Sequence, residues 1–346
     1  MGAFLGIGCT HGPQLQFPDA NMADILRRYL RSDSTPAERK DPRNWPEGMR
    51  AEWADDEGLA AAKEHRRVLV DGFRRARRAL DDFKPDFVLI WGDDQYENFH
   101  EDLVPPFAVY GLPEIPVEPY KGSPVMLTRE NVWGQPEDLY TTWRGHPEAA
   151  GYLGTELINR GFDVSCAYAF HHAQTANHAF VRTVVYLDYD QRGFDYPIVP
   201  FHVNCYGADL WQNARNQTIP FRAPPSPPPW RCYDLGRCVA EVVQASPWRV
   251  ALVGSSSWSH AFLTAKHDGM YPDVQADRRL YQDMCAGDLR SWRDLKLENL
   301  HAAGQHELLN WVCLAGAMEG HVPEVLAYSE TYLFNSDKAV VLFRER

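Results

Sequence analysis

Short, wholly apolar runs alternate along this chain with longer stretches whose apolar residues recur at helical spacing. The first run, Ala3-Phe4-Leu5-Gly6-Ile7-Gly8, breaks at Thr10-His11-Gly12-Pro13, the pattern of a buried strand entering a loop. From Glu57 to Phe83, residues Leu59, Ala62, Val68, Leu69, Phe73, Ala76 and Leu80 fall on one face of a long amphipathic helix, which leads into the strand-length run Phe87-Val88-Leu89-Ile90-Trp91. Gly145-His146-Pro147-Glu148 opens a helix that stops at Gly161, with Pro147 in its first turn. A strand near Val164 to Tyr168, another ending at Phe201, a helix over Trp230 to Ala245 and a strand over Arg249 to Gly254 follow. Strands alternating with helices predict an α/β fold with a central sheet flanked by helices. Residues 22–80 are polar and rich in Arg, Ala, Asp and Glu, and are expected to form a helical insertion within a single domain spanning 1–346, covering a site or an oligomer contact. The run Pro224 to Pro229 is too proline-dense for a helix or inner strand and reads as a loop.

Composition narrows the class. The 346 residues are 45% hydrophobic and 12% aromatic, which excludes intrinsic disorder. No apolar run approaches the roughly 18 residues that cross a bilayer, and the first residues lack a basic segment before an apolar one, so a cytoplasmic protein without a membrane partner is expected. A net charge of -12 argues against a nucleic-acid partner. The seven cysteines are odd in number and contain no CxxC pair, so they read as reduced thiols.

Polar chemistry gathers where strands end. Apolar runs lead into loops or segments holding His11, Asp93 to Gln95, His172 to His178, and Ser255 to His260. Ligand sites of open α/β sheets gather beyond strand carboxyl ends, so one site built from distant segments is the economical expectation. Gly6-Ile7-Gly8 lacks the GxGxxG spacing of a dinucleotide loop, and Gly254-Ser255-Ser256-Ser257 lacks the closing glycine of a nucleophile elbow. Of the 13 histidines, His65, His301, His306 and His321 are expected to be solvated, and His146 to hydrogen-bond at a helix start. Trp91, Tyr96, Phe99, Tyr168 and Trp258 would suit stacking on an aromatic ring.

In order along the chain, Cys9-Thr10-His11-Gly12-Pro13-Gln14-Leu15, Gly145-His146-Pro147-Glu148, Asn177-His178-Ala179-Phe180, Val199 to Asn204, Gly254 to His260 and Leu314 to Met318 resemble the motifs of LigB-type class III extradiol ring-cleavage dioxygenases, the group containing the protocatechuate 4,5-dioxygenase β subunit. The resemblance implies a mixed sheet, a small aromatic substrate with O2, a homo-oligomer, and Fe(II) in a two-His, one-carboxylate site with open positions. It makes His11 the first metal ligand and His178 the acid/base residue; His172 is the alternative to His178 in that role, and Asp94 the carboxylate that would work with His178 in acid/base chemistry without iron. Tyr96, Ser257, Trp258 and His260 would contact substrate. Gln95 stands where the family carries its second metal histidine, and the carboxylate ligand falls at Asp273 or Gln275 according to register. Three functions follow: an iron-dependent ring-cleaving dioxygenase with an altered ligand set, a metal-independent acid/base hydrolase or decarboxylase of an aromatic acid, or a non-catalytic binding subunit.

Overall fold

The computed structural model describes residues 2–100, 102–207 and 224–345. Its centre is an eight-stranded sheet of order β6-β3-β7-β2-β8-β1-β10-β9, formed by β1 (Ala3–Cys9), β2 (Phe87–Gly92), β3 (Phe107–Tyr110), β6 (Ser165–Ala167), β7 (Ile198–Val203), β8 (Arg249–Ser255), β9 (Val322–Ser329) and β10 (Lys338–Arg344). β4 (Glu114–Val117) and β5 (Thr141–Arg144) pair separately as an antiparallel ribbon. The four central strands β7, β2, β8 and β1 are mutually parallel, while β10 and β9 join antiparallel on one side and β3 runs antiparallel to β7 on the other. The sheet is therefore mixed, and the chain is α/β.

Strict alternation along the central strands builds two cores. Phe87, Leu89 and Trp91 of β2, with Val250 and Leu252 of β8, face one apolar layer; Val88, Ile90, Ala251 and Val253 face the other. Strands covered on both faces have no solvent side, which is why the runs read as continuously apolar. Among the helices, α1 (Asp24–Arg31), α2 (Ala37–Lys40), α3 (Glu47–Trp53), α4 (Leu59–Phe83) and α6 (His178–Leu187) precede or flank the second layer, and α5 (Pro147–Asn159), α7 (Pro229–Ala245) and α10 (Leu308–Ala317) supply the first. Two further helices, α8 (Val274–Cys285) and α9 (Leu297–Ala302), lie between β8 and α10. His146 caps α5 by accepting the Ala149 N–H at 3.2 Å, so its role is local.

The region expected as an insertion, residues 22–80, divides in two. Its long helix α4 packs its apolar face on β9, β10 and α6 and thus covers the sheet, whereas α1 brings Ile25 to the edge of a cavity described below. His65 of α4, expected in solvent, is buried and bonded to Ser329 Oγ at 2.6 Å, because its position lies on the helix face that meets β9. His306 is buried as well.

α7 and α10 pack backbone to backbone. A Cβ on Gly236 would sit 1.7 Å from the Cys313 carbonyl oxygen, and one on Gly316 would sit 1.9 Å from that of Tyr233. Each glycine thus admits the other helix's main chain. Gly236→Ala is expected to lower stability by about 1–3 kcal/mol through overpacking, read as a lower midpoint in urea; an unchanged midpoint would contradict so close a contact.

Candidate metal and catalytic site

Parallel order brings the carboxyl ends of β1, β8, β2 and β7 to one edge, and the site forms in the loops beyond them. After β1 comes His11, after β2 Asp93 and Gln95, after β8 Ser257 and His260, and after β7 Tyr206. Glu307 arrives from a different direction, directly before α10, and His178 opens α6. His11, Asp93, His178 and Glu307 each offer one donor atom, all within 4.8 Å of one another.

His11 is held by its Nδ1, which lies 2.9 Å from Ser255 Oγ. Its Nε2 is thereby aimed inward, 3.5 Å from Asp93 Oδ1 and 3.2 Å from Glu307 Oε2. Neither His11 Nε2 nor Asp93 Oδ2 has a hydrogen-bond partner, although both are buried. Asn310 Nδ2 donates to Asp93 Oδ1 at 3.3 Å and to the Ser255 carbonyl at 3.0 Å, tying the ends of β2 and β8 together.

Glu307 is the most heavily supported carboxylate. Tyr206 OH donates to its Oε1 at 2.6 Å and Gln95 Nε2 at 3.0 Å, while the Ser257 N–H donates to Oε2 at 3.2 Å. His260 Nε2 lies 3.4 Å from Oε1. Burial alone would push this carboxyl up, but His260 and His11 with these hydrogen bonds hold it well below the usual carboxylate range. Asp93 goes the other way: burial, then the negative charge of Glu307, raise it well above its ordinary value. Two buried carboxylates and an imidazole converge, with His11 Nε2 and Asp93 Oδ2 unpartnered, and His11 Nε2 stands 3.5 Å and 3.2 Å from an oxygen of each carboxylate, within the roughly 4.4 Å that separates donors around one ion with bonds of about 2.0–2.2 Å. The residues present therefore fit a bound metal.

His178 stands edge-on to His11, with ring centroids 5.1 Å apart. Glu97 takes both of its donors, the ring Nδ1 at 2.7 Å and the backbone N–H at 3.1 Å, which leaves the ring's Nε2 for chemistry. The cavity over the cluster has a volume of about 530 Å³ and is lined by His11, Gln95, His178, Ser257, His260 and Glu307 at one end. Arg182, one turn along α6 from His178, lines it too; burial pulls its guanidinium below the ordinary arginine value, opposed by Tyr186 and by the carboxylates of Glu97, Glu307 and Asp93.

Several expected site residues have other work. Gln95 borders the cluster, but its amide nitrogens face Glu307 and Tyr206, so it steadies a carboxylate where a second imidazole ligand was sought. Asp273 caps α8 by accepting the Ala276 N–H and pairs with Lys266, and Gln275 is exposed in the first turn of that helix; neither lines the cavity. Asp94 is wrapped by the N–H groups of Glu97 and Asn98 and by Asn177 Nδ2 at 2.6 Å, an arrangement that shapes the loop after β2. His172 pairs with Asp102 at the surface. Trp258 is fully buried against Trp292 and Trp311, Tyr96 stacks on His100, and neither lines the cavity, whose aromatic wall is Phe262. Ser257 and His260 do line it. Sequence reasoning missed Asp93 as a donor, Glu97 and Glu307. Glu307 carries a signal: an acidic residue at the mouth of the run Leu308 to Ala317, apolar but for Asn310, has to be buried.

A sequence profile of the catalytic LigB subunit of aromatic ring-opening dioxygenase matches residues 56–340. The chain belongs to the LigB family. Among curated relatives of this LigB chain, a 2,3-dihydroxyphenylpropionate/2,3-dihydroxicinnamic acid 1,2-dioxygenase of Comamonas testosteroni is 26% identical over 250 residues, covering 71% of this chain and 64% of that protein. A second such dioxygenase, from Pseudomonas putida, is 24% identical over 188 residues, 54% of this chain and 47% of its own. The chain thus matches less than two thirds of the length of either relative. An uncharacterised protein of Escherichia coli K12 superposes with a TM-score of 0.47 at 12% identity, covering 80% of this chain and 92% of that one.

Beneath the site, Asp277 braces the loop that carries Ser257 and His260. It accepts the Ser259 N–H at 3.0 Å and Gln305 Nε2 at 2.6 Å, and burial, with the charge of Asp273, pushes its carboxyl up to about 7 against the lowering effect of its hydrogen bonds to Gln305, Ser259 and Asp337. A raised folded-state pKa means that the native state keeps a proton which the unfolded chain releases above pH about 4, so this group's contribution to stability is full at low pH and is lost as pH rises towards about 7. Asp277→Asn keeps an acceptor for Ser259 and should flatten the fall in urea midpoint between pH 5 and pH 8; the same slope in the variant would assign it elsewhere.

Proposed function

We propose that this LigB-family chain opens an aromatic ring with O2 at a non-haem iron(II) held by His11, Asp93 and Glu307, with His178 as the residue that moves the substrate's proton. The observation that carries this reading is the buried cluster at the cavity floor, where an imidazole nitrogen and a carboxylate oxygen lie unpartnered beside a second, ionised carboxylate. Iron(II) bound there would supply the redox chemistry between a catechol and O2.

The chain's own residues account for the remaining tasks. Ser255 fixes the His11 ring so that Nε2 is the ligating atom, the arrangement by which a bound metal selects one tautomer. Tyr206, Gln95 and the Ser257 N–H hold Glu307 in one orientation and keep it anionic. Glu97 orients His178 through Nδ1, stabilises the imidazolium that forms when Nε2 takes a hydroxyl proton, and is itself kept ionised against burial chiefly by His178. The cavity gives the substrate a place between the cluster and Phe262, both of which line it.

The ligand and base assignments separate by experiment. Protein reconstituted anaerobically with Fe(II) should carry about one iron per chain, and His11→Ala or Glu307→Gln should lose it, because each removes a donor. His178→Ala should keep its iron while oxygen uptake with catechols falls by about 10²–10⁴-fold. Loss of iron from His178→Ala would make His178 a ligand in place of the base, and full turnover by rigorously metal-free protein would end the iron assignment in favour of acid/base chemistry.

A further inference from the structure

The charges that line the cavity can be matched one against another. Glu97 is bonded to His178, Glu118 to Lys121 at 2.6 Å, and Glu307 lies among the cluster's histidines and hydroxyl. Among the described residues one cation of the lining is left over. Arg182 borders the cavity, yet no hydrogen bond or ion pair from any described residue reaches its guanidinium. It sits four residues after His178 on α6, hence on the same helix face and about 6 Å farther along the axis. A guanidinium, rigid, always charged and rich in donors, is rarely left half-buried without an anion.

We infer that Arg182 is a specificity-determining residue, which binds a carboxylate carried on the side chain of the aromatic substrate while the ring's hydroxyls face the His11 and His178 end. The inference rests on the ring-opening reading for what happens to the ring, but not for the binding of the acid. Its geometric basis is the separation along one helix face: the ring lies at the first turn of α6, and its substituent reaches back one turn. Val181 and Phe262 line the cavity and are suited to the apolar body between the two ends. Charge leads to the same partner, since a guanidinium lining the cavity without an ion pair attracts a carboxylate and repels a cationic substituent.

The test compares matched pairs. Binding of 3-(2-hydroxyphenyl)propionate and of uncharged 2-propylphenol, neither able to be cleaved as a catechol, is measured by calorimetry on the iron-loaded protein, on Arg182→Met and on Arg182→Lys. Oxygen uptake is followed with 3-(2,3-dihydroxyphenyl)propionate and 3-propylcatechol. Arg182→Met should weaken binding of the acid by about 10²-fold and change the alkylphenol by less than about 3-fold, with Arg182→Lys between them, because truncating one partner of a desolvated charge pair costs that much. The kcat/KM preference for the carboxylated catechol should collapse in parallel, with iron content and thermal midpoint unchanged. Equal effects on charged and uncharged ligands, or loss of iron from Arg182→Met, would overturn the inference and make Arg182 a counter-charge to the cluster. Arg182-dependent binding of the acid with no oxygen uptake from any catechol would uphold the inference and sink the ring-opening reading instead.

Discussion

The ionised, fully buried carboxylate of Glu307 is the constraint around which this end of the molecule is arranged. An isolated carboxylate in an apolar interior takes up a proton rather than bear the loss of hydration. Here burial is outweighed by His260 and His11 and by donors from three separate chain segments: Gln95 after β2, Tyr206 after β7 and Ser257 after β8. Those strands are neighbours in the sheet, so their ends can converge on one side chain only because they run parallel. The order of the sheet and the charge of Glu307 are therefore two aspects of one arrangement.

The same carboxylate sets the state of its neighbours. With Glu307 ionised, a second negative charge on Asp93 is disfavoured, and Asp93 is displaced upward while Glu307 is displaced downward. Environments that drive two adjacent carboxyls apart mark a site built for chemistry more often than for packing. Asn310 and the Ser255 main chain contribute by fixing where Asp93 can point, and Trp311, one residue on, anchors the same helix by donating from Nε1 to the Cys9 carbonyl at 3.0 Å.

How much of this was legible from sequence depends on the range of the signal. The central strands and the helices at 59–83, 147–159 and 229–245 announce themselves by local periodicity, and the loops holding His11, Gln95, His178 and His260 follow from where apolar runs stop. β3, β9 and β10 were not picked out. The carboxylate donor escaped because distance along the chain from His260 is a poor guide to position in space: Asp273, 13 residues on, is used up capping α8, while Glu307, 47 residues on, returns to the site through α9 and the turn before α10. Asp93 and Asp94 are adjacent in sequence and differ in role because successive residues leaving a strand point in different directions. One meets the cluster, and the other is enclosed by amides of its own loop.

Replacing an imidazole ligand by a carboxylate changes the charge of a metal site as well as its donors. Where the family resemblance expects a second histidine, Gln95 turns its amide to Glu307, and Asp93, two residues earlier, faces His11 in its place. A set of one neutral imidazole and two carboxylates carries one more negative charge than two imidazoles and one carboxylate. That excess favours the protonated form of a carboxyl in the cluster, and burial with the negative charge of Glu307 displaces Asp93 upward in that direction. A divalent ion held there as proposed would compete with a proton for the same oxygen atoms. Arg182 does not relieve the competition by direct pairing, since no ion pair joins it to Asp93 or Glu307 among the described residues, but its positive charge would offset part of the negative charge that an anionic substrate, as inferred above, would meet. The altered ligand set and the unpaired arginine thus belong to one electrostatic solution: the more negative the metal site, the greater the need for a cation nearby before an acidic substrate can approach it.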